Sequence, residues 1–371
     1  MRVDRKRQTE GAGATIRAVK RILSWLAVAA ITLVLLEAVL RLATFLPQAA
    51  PDYVADPDVG YRAKPSIRHG AVVTNAQGFN DGMADAAAGP DMPYLAFVGD
   101  SFTFGSYPYP QVFPHLTGER LAAEGIRSRV RNLGIPGASP WQYAAVVRHD
   151  LVRAGQNPDV IIVTVYVGND IVQANAAFST RLWFGTVRML PKPFAIGLSP
   201  EYLYAFKMGR AAVRTLGDLL GEGGDQADPF LRNEYYALPT YARDPARYVR
   251  QGYDGMEAAL TAIAAAANSA GVSLMVVLAP ARIQIDPSFR RRVLTTFDLD
   301  EAAYDFARPQ TQLVAFMAEA EIPFLDLRDV LSAAPAAGYR ADDIHWSEQG
   351  NRVVADAIAA ALAPGLAALM R

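Results

Sequence analysis

One run of β-branched residues, Asp159-Val-Ile-Ile-Val-Thr-Val-Tyr-Val167, limits the fold of this chain more than any other feature. Its side chains are almost all apolar and lack the polar alternation of a strand with one face in water. Such runs are typical of central strands in a parallel sheet, which are buried on both faces because helices cover each side. The run stops at Gly168-Asn169-Asp170, whose residue types favour a turn.

Four other segments have the length and composition of strands, and helical patterns separate them along the chain. The predicted strands are residues 94–98, 129–133, 273–278 and 322–327. The predicted helices are residues 112–125, 139–154, 254–270 and 310–319, with a last helix after Trp346. Five strands alternating with helices predict an α/β domain with a parallel, doubly wound sheet.

The alternation breaks between residues 171 and about 250, where no sheet strand is predicted. A helix is predicted from Pro200 to Leu220, with Ser199 as its N-cap and Gly221 as its stop. We interpret residues 171–250 as an insertion. It is either a cap over the site, a surface that faces a bilayer, or a purely structural flap.

Residues 22–40, ILSWLAVAAITLVLLEAVL, are predicted to cross a membrane. As a helix they span about 28 Å, the thickness of one hydrocarbon core, and Glu37 is their only charge. Arg17, Lys20 and Arg21 precede the span, so the positive-inside rule keeps that end in the cytoplasm. The alternatives are a cleaved signal peptide or a buried core helix. The length of the apolar stretch favours an uncleaved anchor.

Composition excludes several classes of function. The chain has no cysteine, which removes disulfides and thiol catalysis. Its net charge is −1, but residues 1–21 carry seven basic and two acidic side chains, so the remainder has a net charge of −6. An acidic body argues against a nucleic-acid partner. The four histidines (His69, His115, His149 and His345) show no metal-binding spacing, so we expect no metal site.

These observations predict the organisation of the chain. Residues 1–21 form a basic cytoplasmic N-terminus and residues 22–46 a transmembrane anchor. Residues 47–91 form an extended linker that packs on the domain, and residues 92–371 form the α/β domain with its insertion at about 171–250. We expect a single-pass protein of the cytoplasmic membrane with this domain in the periplasm or outside the cell.

Polar loops follow the first three predicted strands, and another precedes the last helix. They are Gly99-Asp100-Ser101, Asn132-Leu-Gly-Ile-Pro-Gly137, Gly168-Asn169-Asp170 and Asp342-Asp343-Ile344-His345. Loops at the carboxyl ends of parallel strands lie at one edge of the sheet, so these four can converge.

The four loops contain the groups that acyl transfer needs. Ser101 would attack a carbonyl carbon, His345 would take its proton, and Asp342 would hold the imidazole tautomer. The backbone N–H of Ser101, an N–H from the second loop and the Asn169 amide would stabilise the oxyanion. Each group also has an ordinary structural interpretation: Ser101 as a helix cap, Asn169 as a turn former, His345 as a structural partner of Asp342. We interpret Asp100 as a brace of the turn and Trp346 as a packing residue.

In order and spacing, these loops resemble the four signature blocks of the SGNH/GDSL hydrolase family, over roughly residues 92–365. The resemblance implies a flavodoxin-like three-layer α/β/α fold with a five-stranded parallel sheet, and ester hydrolysis or acyl transfer without a cofactor. It assigns Gly137, rather than Gly134, to the oxyanion hole. It selects Asp342, rather than Asp343, because the family's acid stands three positions before the histidine. Phe102 occupies a position where the family's motif has leucine.

The expected function is therefore that of a membrane-anchored serine esterase. We expect it to cleave an O-acyl ester, with O-acetyl as the first expectation, on a carbohydrate or cell-envelope glycan. The first alternative is an O-acyltransferase that passes the acyl group to a polysaccharide hydroxyl and receives it from a membrane partner. The second is a non-catalytic glycan-binding or assembly protein on the same fold.

Overall fold

The computed structural model describes residues 2–46, 50–82, 92–195, 197, 200–220, 229–333 and 335–369. The chain divides into two compact units. The first contains residues 1–47 and 191–224, and the second contains residues 48–190 and 225–371.

The described part of the chain contains eleven strands. In chain order they are β1 (Tyr53–Asp56), β2 (Gly60–Ala63), β3 (Arg68–His69), β4 (Val72–Val73), β5 (Tyr94–Gly99), β6 (Arg129–Gly134), β7 (Val160–Tyr166), β8 (Phe178–Trp183), β9 (Thr186–Pro191), β10 (Ser273–Ala279) and β11 (Phe324–Asp326).

The α-helices of the same ranges are α1 (Arg2–Ala43), α2 (Ser101–Phe104), α3 (Phe113–Ala123), α4 (Pro140–Val146), α5 (Asp170–Gln173), α6 (Tyr204–Leu220), α7 (Pro229–Ala237), α8 (Arg247–Ser269), α9 (Arg282–Ile285), α10 (Pro287–Thr296), α11 (Arg308–Glu319), α12 (Arg328–Ser332), α13 (Pro335–Gly338) and α14 (Glu348–Leu369). A π-helical stretch, Val147–Arg153, continues α4, and 3₁₀ turns lie at Tyr109–Gln111, Pro200–Tyr202, Leu238–Tyr241 and Glu301–Ala303.

The second unit is built on a five-stranded sheet with the order β11-β10-β7-β5-β6, in which all neighbours are parallel. All five predicted strands are in this sheet. β7 contains the β-branched run and every one of its residues is buried, which confirms the predicted central strand. β11 is shorter than predicted: it is an edge strand, and only Phe324–Asp326 pair with β10.

Helices cover both faces of the sheet. Alternate residues of β5 point to opposite sides: Ala96 and Val98 lie in one apolar cluster, and Leu95 and Phe97 lie in the other. The first cluster is completed by α4, α8 and α11, and the second by α3, α10 and α14. The fold is therefore the predicted three-layer α/β/α arrangement.

The strand order also positions the site. The chain passes from β5 to β6 on one side and then crosses to β7 on the other side of β5. Ligands bind at such a switch point, outside the carboxyl ends of the strands. Ser101 follows β5 and Asn169 follows β7, so both lie at this edge.

Residues 50–82 form two antiparallel strand pairs, β1–β2 and β3–β4. Tyr61 and Phe79 are buried in the same apolar cluster as Ala96 and Val98. Gly78 has a φ of +84°, and a Cβ there would lie 2.1 Å from the carbonyl oxygen of Ala63. These residues are therefore part of the core of the second unit.

The prediction that residues 171–250 contain no strand is wrong. β8 and β9 form a hairpin whose two connecting residues, Phe184 and Gly185, have φ of 44° and 79°. Two-residue hairpin turns of this kind need positive φ at both positions and usually contain Asn or Gly. Phenylalanine at the first position removed the signal by which the turn could have been predicted.

The insertion is divided between the two units. Residues 191–224 belong with α1 in the first unit, whereas β8, most of β9 and α7 belong to the second. α6 begins at Tyr204, after the 3₁₀ turn Pro200–Tyr202, and not at Pro200 as predicted. Ser199 and Gly221, the predicted cap and stop, lie outside the described residues.

Two helices among the described residues are long and apolar enough to cross a membrane. In α1 this part is Val19–Ala43, with a mean hydropathy of 2.3 and none of its most apolar window buried. The other is α14, but Val354, Ile358 and Leu362 of that helix are buried in the core of the second unit. α14 is therefore a core helix, and α1 is the candidate anchor.

Candidate active site

The nucleophile turn, Gly99-Asp100-Ser101, is tight, and a side-chain hydrogen bond stabilises it. Ser101 begins α2 directly after β5, and the carboxylate of Asp100 accepts a hydrogen bond from the backbone N–H of Phe102 at 2.9 Å. A Cβ on Gly99 would lie 2.2 Å from Oγ1 of Thr103, so only glycine fits there. Burial raises the pKa of Asp100, although the Phe102 N–H and the His345 side chain oppose this. Asp100 thus braces the turn, as the sequence indicated.

Ser101 and His345 are in direct contact although 244 positions separate them. Oγ of Ser101 lies 2.7 Å from Nε2 of His345. The opposite ring nitrogen, Nδ1, lies 2.9 Å from Oδ2 of Asp343. A hydroxyl, an imidazole and a carboxylate in this line have the geometry by which a base activates a serine nucleophile.

The acid of this line is Asp343, and the prediction of Asp342 is corrected. Asp342 forms an ion pair with Arg340 at 3.2 Å, and its side chain is 75% exposed. The Asp343 side chain is 33% exposed and also accepts the backbone N–H of Ile344 at 2.7 Å. The loop is closed by a hydrogen bond from the Arg340 N–H to the His345 carbonyl, and only the Asp343 carboxylate reaches the imidazole.

Asp343 is ionised at neutral pH. Burial alone would raise its pKa, but the hydrogen bond and charge of His345, the Ile344 N–H and the Arg340 guanidinium outweigh burial and hold the pKa below its ordinary value. A carboxylate in this state accepts a hydrogen bond from the Nδ1–H of His345. The carboxylate also stabilises the imidazolium that forms when Nε2 is protonated in addition to Nδ1.

Asn169 lies beside the nucleophile turn. Its side-chain amide donates to Oδ2 of Asp100 at 3.4 Å, and its buried Oδ1 has no hydrogen-bond partner. The next residue, Asp170, is fully buried and accepts hydrogen bonds from the Tyr143 hydroxyl and the Tyr166 N–H. Burial and the nearby Asp100 raise the pKa of Asp170 well above its ordinary value. These contacts fix the turn that presents Asn169.

The loop after β6 lies against the same turn. The N–H of Ile135 donates to the carbonyl of Gly99 at 3.0 Å. A Cβ on Gly134 would lie 2.2 Å from the backbone nitrogen of Phe104, so Gly134 permits close packing on α2. Gly137 has a φ of +73°, which favours glycine at the end of the loop. Gly134 therefore has a packing role, and the oxyanion role of Gly137 stays a prediction.

Residues that precede the five-stranded sheet also support the site, although no sequence pattern indicates such a role for them. The buried amide of Asn80 donates to the carbonyls of Phe104 at 2.7 Å and Tyr107 at 2.9 Å, which holds the end of α2. The Tyr61 hydroxyl donates to the carbonyl of Pro136 at 3.0 Å.

Aromatic rings pack beneath the imidazole. Phe102 stacks on Tyr166 with ring centroids 4.1 Å apart and lies 4.9 Å from the ring of His345. Trp346 is 2% exposed and contacts Phe102 edge-on at 5.0 Å. Trp346 is therefore a packing residue, as predicted, and Phe102 is the ring of this cluster that contacts His345.

The remaining histidines lie elsewhere. His115 pairs with Glu119 at 3.4 Å and His149 with Asp58 at 3.3 Å, while the His69 side chain lies outside the described residues. In the described ranges, no group of three or more His, Asp or Glu side chains could hold a metal ion.

Several solved structures resemble this chain. The acetyl xylan esterase AlAXEase is 16% identical, and the match covers 72% of this chain and 99% of that chain with a TM-score of 0.39. TesA is 16% identical over 73% of this chain and 98% of that chain, with a TM-score of 0.39. Axe2, an acetylxylan esterase from Geobacillus stearothermophilus solved as a catalytic mutant, is 16% identical over 72% and 92%, with a TM-score of 0.38. Likenesses this distant say nothing about substrate.

No curated protein matches the chain. The family model described as GDSL-like Lipase/Acylhydrolase matches residues 97–353 of the 371 residues. The matched segment contains Ser101, Gly137, Asn169, Asp343 and His345, and it covers most of the second unit. The chain therefore belongs to the GDSL-like lipase/acylhydrolase family.

Proposed function

We propose that this protein is a serine esterase whose triad is Ser101, His345 and Asp343. The observation that carries the proposal is the continuous line of contacts from Oγ of Ser101 through the two nitrogens of His345 to Oδ2 of Asp343, at 2.7 Å and 2.9 Å. A serine that served only as a helix cap would need no imidazole partner.

In the first half-reaction, Oγ of Ser101 bonds to the ester carbonyl carbon while Nε2 of His345 takes the hydroxyl proton. Asp343 remains ionised and stabilises the imidazolium. The tetrahedral intermediate then expels the alcohol, which receives that proton from Nε2. Water repeats the sequence on the acyl-enzyme and releases the carboxylic acid and Ser101.

The oxyanion of each tetrahedral intermediate would accept hydrogen bonds from the backbone N–H groups of Ser101 and Gly137 and from the Asn169 amide. The contact between Asn169 and Asp100 is long, at 3.4 Å, and engages one N–H of the amide. The second N–H remains for the oxyanion.

We propose that the substrate is an O-acyl ester, with O-acetyl the first choice, on a carbohydrate or cell-envelope glycan. The enzyme would be held at the cytoplasmic membrane by α1, with its N-terminus in the cytoplasm and residues 48–371 outside. The exposed apolar part of α1, Val19–Ala43, and the basic residues at positions 17, 20 and 21 support this orientation.

The test uses the full-length protein in detergent, a fluorophosphonate probe, and p-nitrophenyl acetate as substrate. The probe should label Ser101, and both labelling and turnover should disappear in Ser101→Ala and His345→Ala. Labelling with little turnover, but with acetyl transfer to an added glycan, would favour the O-acyltransferase. Absence of labelling together with glycan binding would favour the non-catalytic alternative.

A further inference from the structure

We propose that α6 and the residues leading into it form a second membrane contact, lying on the bilayer surface beside the anchor helix. The proposal rests on the proposed role of α1 as a membrane anchor and concerns only the first unit, residues 1–47 and 191–224. The sequence left three interpretations for the insertion at residues 171–250: a cap, a bilayer-facing surface or a structural flap. For the part that belongs to the first unit, the proposal selects the bilayer-facing surface.

Glu37, the one charge of the apolar stretch, caps α6. Its Oε1 accepts the backbone N–H of Tyr204 at 3.1 Å, and its Oε2 accepts that of Ala205 at 2.9 Å. The first N–H groups of a helix have no partners within the helix, and the helix dipole favours a negative charge at that end. Glu37 therefore stabilises α6 from 167 positions earlier in the chain.

Arg41, one turn further along α1, holds the chain that enters α6. It pairs with Glu37 at 2.8 Å. It also donates to the carbonyls of Pro193 and Tyr202, each at 2.7 Å, and of Ala195 at 3.0 Å. Both charged side chains are less than one-fifth exposed, so this network replaces their contact with water.

The hydrogen bonds of Glu37 and Arg41 determine how deep in the bilayer the N-terminus of α6 lies. Glu37 and Arg41 lie in the last two turns of α1, which ends at Ala43. If Val19–Ala43 spans the bilayer, its last turns lie at the outer interface, where charged side chains leave the hydrocarbon. The N-terminus of α6 is bonded to those turns and must lie at the same depth.

The exposed face of α6 is apolar. Phe206, Val213 and Leu216 are all exposed, and Val213 is 73% exposed. Positions i, i+7 and i+10 lie on one side of a helix. Lys207 and Arg210 lie on the adjoining stripe, and the Arg210 guanidinium lies over the Phe206 ring at 5.9 Å. A helix with an apolar face bordered by basic residues is typical of interfacial helices.

The apolar surface continues from α6 to the anchor. Phe194, in the connection, is 87% exposed, and its ring lies 6.4 Å from that of Phe45 just beyond the end of α1. Leu42 and Leu46 beside Phe45 are also exposed. The patch thus joins the exposed surface of the candidate span, and one bilayer would cover both. This continuity favours lipid over a second copy of the chain.

The absence of cysteine from the chain allows a clean test. Single-cysteine variants Phe206→Cys and Val213→Cys of the full-length protein carry an NBD fluorophore and are reconstituted in liposomes. Lipids brominated near the glycerol backbone or near the chain ends report depth by quenching. Leu33→Cys, in the middle of α1, is the positive control, and Ala315→Cys, exposed on α11, samples the other unit.

Shallow brominated lipids should quench most of the NBD emission at positions 206 and 213, and deep brominated lipids should quench it at position 33. Loss of quenching at positions 206 and 213, with position 33 still quenched, would overturn the proposal. A blue-shifted but unquenched emission there would also overturn it, because protein would then cover the face. Absence of quenching at position 33 would instead refute the anchor itself, and ester hydrolysis in the same liposomes reports the chemistry separately.

Discussion

Oδ2 of Asp343 lies 2.9 Å from Nδ1 of His345, while the neighbouring carboxylate of Asp342 points to Arg340 and solvent. Two adjacent acids therefore have different roles. One orients the imidazole that contacts Ser101, and the other forms an exposed ion pair whose contribution to stability is small.

Asp343→Asn should lower kcat by about 10²- to 10⁴-fold, because the amide cannot stabilise the imidazolium and favours the wrong tautomer. Asp342→Asn is the matched control and should retain kcat within about threefold, because it alters only a surface pair. Steady-state hydrolysis of p-nitrophenyl acetate measures both. The reverse order of the two effects would return the acid's role to Asp342.

Asn169→Ala should lower kcat by about 10²- to 10³-fold with KM little changed, since an oxyanion donor acts mainly in the transition state. Thermal unfolding monitored by circular dichroism should show that the variant stays folded. A large rise in KM at constant kcat would show that Asn169 binds the ground-state substrate instead.

Asn80→Ala should act on stability rather than directly on chemistry. Its amide donates to the buried carbonyl of Phe104 and the partly buried carbonyl of Tyr107. Without it, the Phe104 carbonyl would keep only the longer hydrogen bond from the Asn132 amide, at 3.4 Å. Leaving such groups unsatisfied costs about 1–3 kcal/mol each. Urea denaturation of the variant should show this loss in the free energy of unfolding. An unchanged midpoint would contradict the bracing role.

Gly134→Ala should displace α2, because the new methyl group would lie 2.2 Å from the backbone nitrogen of Phe104. Overpacking of this kind costs about 1–3 kcal/mol, and the movement of Ser101 should lower kcat as well. Gly125→Ala is the control: its φ of +87° also strains alanine, but nothing lies within 4 Å of the added carbon. Equal kcat values in the two variants would refute the packing role of Gly134.

Glu234 makes folding stability depend on pH. It is 1% exposed, neither carboxyl oxygen has a hydrogen-bond partner, and burial raises its pKa from 4.5 to about 8. The unfolded state loses this proton at lower pH than the folded state, so stability falls as pH rises from about 4.5 to 8. In Glu234→Gln this part of the decline should vanish. Melting temperatures between pH 5 and 8 measure it, and parallel curves would contradict the assignment.

Much of the fold could be predicted because local patterns determine it. The β-branched run of β7 is buried on both faces, as its composition requires, and the alternation of strands and helices fixed the parallel sheet. Ser101 and His345 could be predicted because each stands in a polar loop at a known place in that alternation. Their contact across 244 positions follows from the topology.

What could not be predicted depends on contacts that no local pattern contains. Which of the two adjacent aspartates contacts the His345 imidazole depends on how the loop from Arg340 to His345 bends. The cap of α6 is supplied by Glu37, and no residue near Tyr204 indicates this. Asn80 and Tyr61 support the site although they lie in the segment predicted to be a linker. This role could not be predicted, because their partners are backbone carbonyls in loops far away in the sequence.

The central claim is that Ser101 is an activated nucleophile, and covalent labelling tests it most directly. Full-length protein is treated with a fluorophosphonate, digested, and analysed by mass spectrometry, beside Ser101→Ala, His345→Ala and Asp343→Asn. The account predicts a phosphonyl adduct on the Ser101 peptide of the wild type, no adduct in Ser101→Ala, and much slower labelling in the other two. An unlabelled wild type, or labelling of Ser101 that is equally fast without His345, would contradict it.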